Sequence, residues 1–512
     1  MIMKKFLRKK IINYFALLFF LIQFSIIFII FFFSDSAIYA CKKELLLSNQ
    51  SIFISSLLIT IILIIFLSKR EGDFKLNQEF YFIIIASVFL FIIQIFITKN
   101  IYFKTGWDVG WIHATVDEIL YNRGLLNPSD YYFYSRMPNN LNLSAFFVIL
   151  GRILIPLNVN YYMVSLLISN FLVNLAGFFT YLSVYRITKK IKYSIFAWVL
   201  FILLVGLSPW ITIPYSDTYS ILFPILAFYL YLSRDPKKNN YGRWFFIGFL
   251  CFLGFTIKPI VIINLIAIVL IEIYKLSKNI EKNIQKTKIL SFFFIIVSII
   301  PIMIINIYCR NIMEININKN ERFTLFHLIM VGLNKENDGA YWENDFNFSA
   351  SFKTVKERNI ANIDVIKDRL VDFGFVGYLN FLSKKTLVNF SDGSFAWNCE
   401  GNFYSEVPER ENSLSQFLQN IYFRSGKYHQ IFLTFLQFLW FTILILLLGV
   451  CTNIKILDFQ ITTLLLTLVG VILFVMLFEA RARYLFSYSP FFIIGATVGA
   501  NQIGSSLFRY SD

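Results

Sequence analysis

The chain has 512 residues, of which 57% are hydrophobic and only 15% charged, with 60 Phe. A soluble chain would carry about 25% charged residues, so the composition excludes an ordinary soluble domain and points to a polytopic α-helical membrane protein. The formal charge of +16 does not imply a nucleic-acid partner. Residues 309–430 hold 14 Lys and Arg against 15 Asp and Glu, so the excess lies in short connections such as Lys189-Lys190-Ile191-Lys192, as the positive-inside rule expects.

In chain order, the basic start Lys4-Lys5-Phe6-Leu7-Arg8-Lys9-Lys10 precedes an apolar run too long for a signal-peptide core, which reads as a retained first helix. Apolar runs fall near 11–33, 51–67, 80–98, 142–157, 161–185, 194–213, 219–233, 243–257, 260–276, 289–308, 431–450, 459–478 and 484–504. They predict an all-α polytopic fold with about 12–13 transmembrane or re-entrant helices. With the N-terminus cytoplasmic, the third run exits, so 99–140 lies outside. The basic loops at Lys237-Lys238 and Lys275 to Lys288 likewise put Asp217 and the segment 309–430 outside. If 189–192 is inside, 142–157 and 161–185 cannot both cross fully, and one of them is re-entrant or lies in the interface. The expected organisation is two additional N-terminal helices (1–76), a transmembrane core with an outer loop at 99–140 (77–308), a small extracellular subdomain of mixed helical and irregular character (309–430) and C-terminal transmembrane helices (431–512).

The outer loop carries most of the chemistry. Val109, Ile112, Val116, Ile119 and Leu120 recur at helical spacing, with Trp107 and Trp111 suited to the headgroup level. Asp108 opens that helix. It reads either as part of a Thr105-x-x-Asp108 capping box or as a partly desolvated carboxylate tuned as a base. Tyr121, Tyr131, Tyr132, Phe133 and Tyr134 follow, and then Met137-Pro138-Asn139-Asn140, where an Asn caps the next helix. The aromatic run suits an interfacial belt or the wall of a sugar site.

Further along, Asp217 is a lone acid between two apolar runs, either an N-cap or a functional group. Lys258 precedes Pro259 deep in a run and needs a partner, a phosphate or the surface reached by snorkelling. Glu479 and Arg483 are four apart and would pair on a helix, leaving Arg481 for a phosphate. Asp338, Glu343, Asp345 and the Asp392-to-Glu400 stretch read mainly as solvated surface. His113, His327 and His429 are scattered and imply no metal site. Among five cysteines, a Cys309–Cys399 bridge is conceivable, but isolated thiols fit the spacing better.

Gly106-Trp107-Asp108 in the first outer loop, followed by Tyr134-x-x-x-Pro138-Asn139-Asn140, resembles a large group of Gram-positive bacterial membrane proteins. These are classed with the GT-C glycosyltransferases, near the protein O-mannosyltransferases and aminoarabinose transferases. Matching stretches recur at Ser208 to Asp217, Ile257-Lys258-Pro259 and Phe478 to Phe486, so the resemblance covers about 80–500 and leaves the first two helices as an addition. It implies a GT-C fold in the cell membrane with an extracellular active site, and an inverting transfer of sugar from a polyprenyl-phosphate donor to a cell-envelope glycan. Asp108 would be the base, and Tyr134, Asn139, Asn140, Asp217, Lys258, Arg481 and Arg483 would bind substrate. Val109 replaces the second acid of the family's better-known Asp-Glu pair. Asp117 and Glu118 are the next acidic candidates, and a divalent cation is left open with no cofactor otherwise implied. The alternative readings are a transporter or lipid-linked glycan flippase, disfavoured by the absence of internal repeats, and a polymerase or ligase of lipid-linked glycans.

Overall fold

Helices account for nearly all regular structure in the computed structural model, which describes residues 2–69, 76–121, 128–234, 240–277, 285–397, 399, 407, 411–452 and 458–507. Lys237, Lys238, residues 278–284 of the second basic loop and Glu400 lie outside the described residues. Every expected apolar run is mainly helical, with 194–213 broken near Ser208. Among the described residues, nine helices are long and apolar enough to cross a membrane, and two shorter apolar helices, Ile191–Gly206 and Tyr241–Ile257, accompany them.

The order begins with α1 (Ile2–Phe33), a two-residue hairpin of β1 (Ala37–Ile38) and β2 (Lys43–Glu44), α2 (Asn49–Ser68) and α3 (Leu76–Ile101). The loop region forms α4 (Trp107–Tyr121) and α5 (Pro128–Arg136). Next come α6 (Leu141–Leu154), α7 (Tyr161–Thr188), α8 (Ile191–Phe201), the short α9 (Ser216–Ser220), α10 (Leu222–Leu232), α11 (Tyr241–Ile257), α12 (Ile262–Ser277), α13 (Gln285–Val297) and α14 (Ile299–Met313). The polar segment contributes α15 (Leu325–Gly332), α16 (Glu343–Ala350), α17 (Val355–Phe390) and α18 (Ser413–Tyr422). The chain then returns through α19 (His429–Leu448), α20 (Phe459–Leu477) and α21 (Ser489–Leu507).

The contacts of α6 resolve the conflict of parity. Asn142 bonds Asn306 at 2.6 Å, and Arg152 meets Glu314 at 3.9 Å, so α6 climbs in the same direction as α14. At its far end Tyr161, the first residue of α7, donates to Asp117 of α4 at 2.7 Å, and Tyr162 donates to the Phe103 carbonyl at 2.8 Å. Just before its start the Ser135 hydroxyl accepts the Asn318 N–H at 2.9 Å and the Arg136 carbonyl accepts the Phe323 N–H at 3.2 Å, so both ends of α6 lie near the segment that follows α14. Although long enough to cross, α6 returns the chain to the side it left, and α7 makes the crossing.

The two N-terminal helices are built into the C-terminal part rather than appended to it. Gln23 donates to the Leu444 carbonyl, Ser56 to that of Phe438, and Gln437 to Asn49. The loop between them is also tied covalently, because Cys41 and Cys399 form a disulfide with their Cα atoms 5.0 Å apart. This replaces the expectation of isolated thiols. Cys309 is buried and free, with Cys251 and Cys451.

The 309–430 segment is organised by buried charge, not by solvated charge. Arg358, 1% exposed, donates to the carbonyls of Asn320, Arg322, Ser349 and Phe352. Asp345 is buried and takes Arg369 through both oxygens, at 2.7 and 3.0 Å, with Asn334 at 2.7 Å. Asp392 is buried as well, and accepts from the Ser394 N–H and hydroxyl and the Ala396 N–H. Asp338 meets Tyr39 at 2.9 Å and Lys384 at 3.9 Å. Of this group, Glu343 is exposed as expected.

Candidate active site

Three breaks in helical structure bring the site together. Asp108 stands in the first turn of α4, whose start is pinned because Gly110 lets the chain fold back tightly. A Cβ there would come within 2.7 Å of the Thr105 carbonyl oxygen. Thr105 does not cap this helix: its hydroxyl donates to the Gly106 carbonyl, and the Asp108 carboxylate turns instead to Tyr215, whose hydroxyl donates to it at 3.2 Å.

Tyr215 and Asp217 come from the second break, between the apolar runs. Ser208 caps a single 3₁₀ turn, Pro209–Thr212, and α9 then begins at Ser216 with Tyr215 as its extended N-cap. Asp217 thus lies inside the helix rather than capping it. Its carboxylate is 1% exposed and is shared between the Lys258 ammonium, which bonds one oxygen, and the Arg483 guanidinium, 3.7 Å from the other. Lys258 reaches it because Pro259 disfavours helical backbone at the preceding residue. Lys258 is extended (φ −146, ψ 113) between α11 and the 3₁₀ turn Pro259–Val261. Its partner is a carboxylate, which offsets the cost of burying an ammonium.

The third break follows α20. Arg481 is extended (φ −155, ψ 119), and Arg483 lies in the 3₁₀ stretch Ala482–Tyr488. Side chains two apart share a side of extended backbone, so Glu479 pairs with Arg481 at 2.9 Å. Tyr484 donates to the same carboxylate at 3.4 Å. The expected Glu479–Arg483 helical pair does not form. Arg483 instead stands 4.1 Å from the Trp107 ring centre and 5.4 Å from that of Tyr215, while the two rings meet edge-on at 5.1 Å. Trp107 adopts a left-handed backbone (φ 48), which is uncommon for a bulky residue and, where it occurs, concentrates at functional sites.

The third break is held in place by the 309–430 segment. Lys385 of α17 donates to the carbonyls of Gly332 and Phe478, at 2.5 and 2.6 Å. Asn389, one turn on, accepts the Arg481 N–H at 2.9 Å, and the Ala480 N–H reaches the Gly339 carbonyl at 2.7 Å. Burial pushes the Lys385 ammonium down to about 7.

Electrostatically the site balances three acids (Asp108, Asp217, Glu479) against three bases (Lys258, Arg481, Arg483). Burial pushes the Asp108 carboxyl above its ordinary value of 3.8. The Arg483 charge, the Tyr215 hydroxyl and the Arg481 charge pull it back only in part. Burial, and then the Asp108 charge, raise Tyr215 well above 10, so it remains a proton donor. The arrangement presents a carboxylate suited to accepting a proton beside guanidinium groups that suit an anion.

Five of the expected residues converge: Asp108, Asp217, Lys258, Arg481 and Arg483. Asp117 and Glu118 do not join them. Asp117 is nine residues on, roughly 13 Å along the helix, paired with Lys104 at 3.1 Å and with Tyr161. It lines a groove of about 390 Å³ with Trp111 and His113, which reaches the cluster only at Trp107. Tyr134 is fully buried, its hydroxyl 2.7 Å from Ser144. Asn139 and Asn140 bond each other at 3.2 Å, with no described bond to the cluster. Tyr215, Glu479, Tyr484, Lys385 and Asn389 were not singled out from sequence as members; Tyr215, Glu479 and Tyr484 lie in the quoted stretches Ser208 to Asp217 and Phe478 to Phe486, while Lys385 and Asn389 carried no local signal. His113 packs between Phe147 and Tyr162, and burial pushes it down to about 4, the behaviour of a core histidine. His327 bonds Ser349.

No curated protein is significantly similar to the chain. A family described as conserved hypothetical integral membrane protein matches residues 3–503, in keeping with the multi-pass helical architecture, and the chain belongs to that integral membrane protein family.

Proposed function

We propose that this is an inverting GT-C class glycosyltransferase that takes a sugar from a polyprenyl-phosphate carrier and transfers it to a cell-envelope glycan. The observation that carries the reading is the placement of Asp108: a carboxylate raised by burial, held by Tyr215 and coupled to Arg483 and Arg481 at one end of a membrane bundle. Asp108 takes the proton of an acceptor hydroxyl as its oxygen bonds to the anomeric carbon. The bond from that carbon to the phosphate oxygen breaks, and the carrier phosphate leaves with the electron pair. Arg481 and Arg483 stabilise the departing charge, and Lys258 orients Asp217 beneath Arg483. The site faces outward and the N-terminus inward. The distribution of basic residues supports that orientation, and so does the Cys41–Cys399 disulfide, which suits an oxidising compartment.

The test is transfer by Asp108→Asn protein, in which loss of a general base removes about a hundredfold or more of the rate. The reading fails if that variant, folded and binding polyprenyl-phosphate sugar normally, transfers at the wild-type rate. Comparing envelope glycans from a deletion strain and its parent by mass spectrometry would name the sugar.

A further inference from the structure

The 36-residue α17 is broken at one residue. Gly374 has φ 55 and ψ −175, a backbone that side chains strongly disfavour, and a Cβ there would meet nothing within 4 Å. The helix therefore turns in open space. At this elbow Val371, Phe375 and Val376 are 79%, 80% and 77% exposed, with Leu379 half exposed beside them. The elbow is nonetheless formed structure, since Phe373 packs on Phe381 at 4.7 Å and on Tyr378 at 6.1 Å.

What covers those side chains is indicated by where the helix goes next. Residues after the elbow run into the bundle and meet α20, and α17 also packs against α1, both of membrane-spanning character. Thr386 meets Met476 and Asn389 donates to the Val475 carbonyl. Lys385 holds the carbonyl of Phe478, the residue that closes α20. Before the elbow Arg369 donates to the Met330 carbonyl, two residues from the Gly332 carbonyl that Lys385 holds together with that of Phe478, so both arms of the elbow are tied to the level where α20 ends. The exposed apolar strip of the elbow lies between these two ties, with Asp368, Asp372 and Lys384 exposed around it. Interfacial segments bury exposed apolar side chains about 5–10 Å into the headgroup and acyl boundary and leave neighbouring charges among the headgroups.

We propose that the Gly374 elbow is a membrane-interface anchor, with Val371, Phe375 and Val376 in the lipid of the leaflet at the site end of the bundle. One helix then links lipid contact at Phe375 with the clamp on Phe478 and Arg481. The anchor sets the height of the basic segment above the acyl chains. This inference does not depend on the transferase reading.

The test places a nitroxide at Phe375→Cys, at Val376→Cys and, as a water-facing control, at Asp364→Cys. The full-length protein is reconstituted in vesicles of phosphatidylethanolamine and phosphatidylglycerol. Power saturation with oxygen and with a water-soluble nickel chelate then reports depth. The expected result is oxygen dominating at 375 and 376 and nickel dominating at 364. Nickel access at the elbow equal to that at 364 would overturn the proposal. Exclusion of both reagents from the elbow would also overturn it, because a protein partner would then be the cover. The two elbow positions are read independently, so one variant that fails to fold leaves the other decisive.

Discussion

The guanidinium carbon of Arg483 stands 4.1 Å from the centre of the Trp107 ring, and Trp107 holds that position on a left-handed backbone. A cation–π contact of this kind is worth about 0.5–2 kcal/mol, or roughly 2- to 30-fold in rate if it serves the transition state. Trp107→Ala is expected to lose transfer by about tenfold, with Trp107→Phe keeping part of it. Trp107→Gly accepts the backbone at no steric cost, so it should be more stable than Trp107→Ala by about 1 kcal/mol in thermal unfolding while losing the same activity. Equal transfer by Trp107→Ala and wild type would remove Trp107 from the site.

Asp108 yields a prediction about stability. Its folded-state value lies above the ordinary 3.8, so at a pH between those values the folded chain binds more protons than the unfolded one. Stability linked to this group is fully present below about 3.8 and is lost as pH rises through the raised value. Asp108→Asn should therefore melt higher than wild type near neutral pH, and the gap should close as pH falls. A gap that stays constant with pH would show that the carboxyl is not raised.

Arg358 holds four carbonyls, and hydrogen bonds to a charged group contribute about 1.5–3 kcal/mol each. Arg358→Ala leaves those acceptors unsatisfied, and a loss of at least about 3 kcal/mol is expected. Limited proteolysis should cut within 320–360 in the variant under conditions that leave the wild type whole. Matching digestion patterns would reassign the segment's stability elsewhere.

The disulfide predicts a thiol count. Alkylation of the denatured, unreduced chain should label three cysteines, Cys251, Cys309 and Cys451, and reduction should expose two more. Mass spectrometry reads both numbers directly, and five labels without reduction would refute the bridge.

The helices were legible because span-length apolar runs leave a chain few alternatives in lipid. The convergence of Asp108, Asp217, Lys258, Arg481 and Arg483 was legible through a shared side of the bundle. Their pairing was not. Glu479 and Arg483 satisfy the four-residue rule only on a helix, and α20 stops at Leu477, so the two-residue spacing of extended backbone governs and selects Arg481. Asp345 looked solvated because its partner Arg369 is 24 residues away on another helix. Cys41 and Cys399 are separated by 358 residues, and no local pattern reports contact over such a distance. Likewise, nothing in the apolarity of 142–157 said that both its ends would meet the same side.

The balance of three acids and three bases around Asp108 has one more consequence. A site with no formal excess charge casts little field into its surroundings, so electrostatic steering adds little to the arrival of an anion. On the proposed reading, an incoming phosphate would instead trade places with Asp217 or Glu479 as a partner for the guanidinium groups. Occupancy would then follow local ion-pair exchange and the two-dimensional concentration of carrier in the bilayer, and ionic strength should move it far less than it moves binding to an open basic patch.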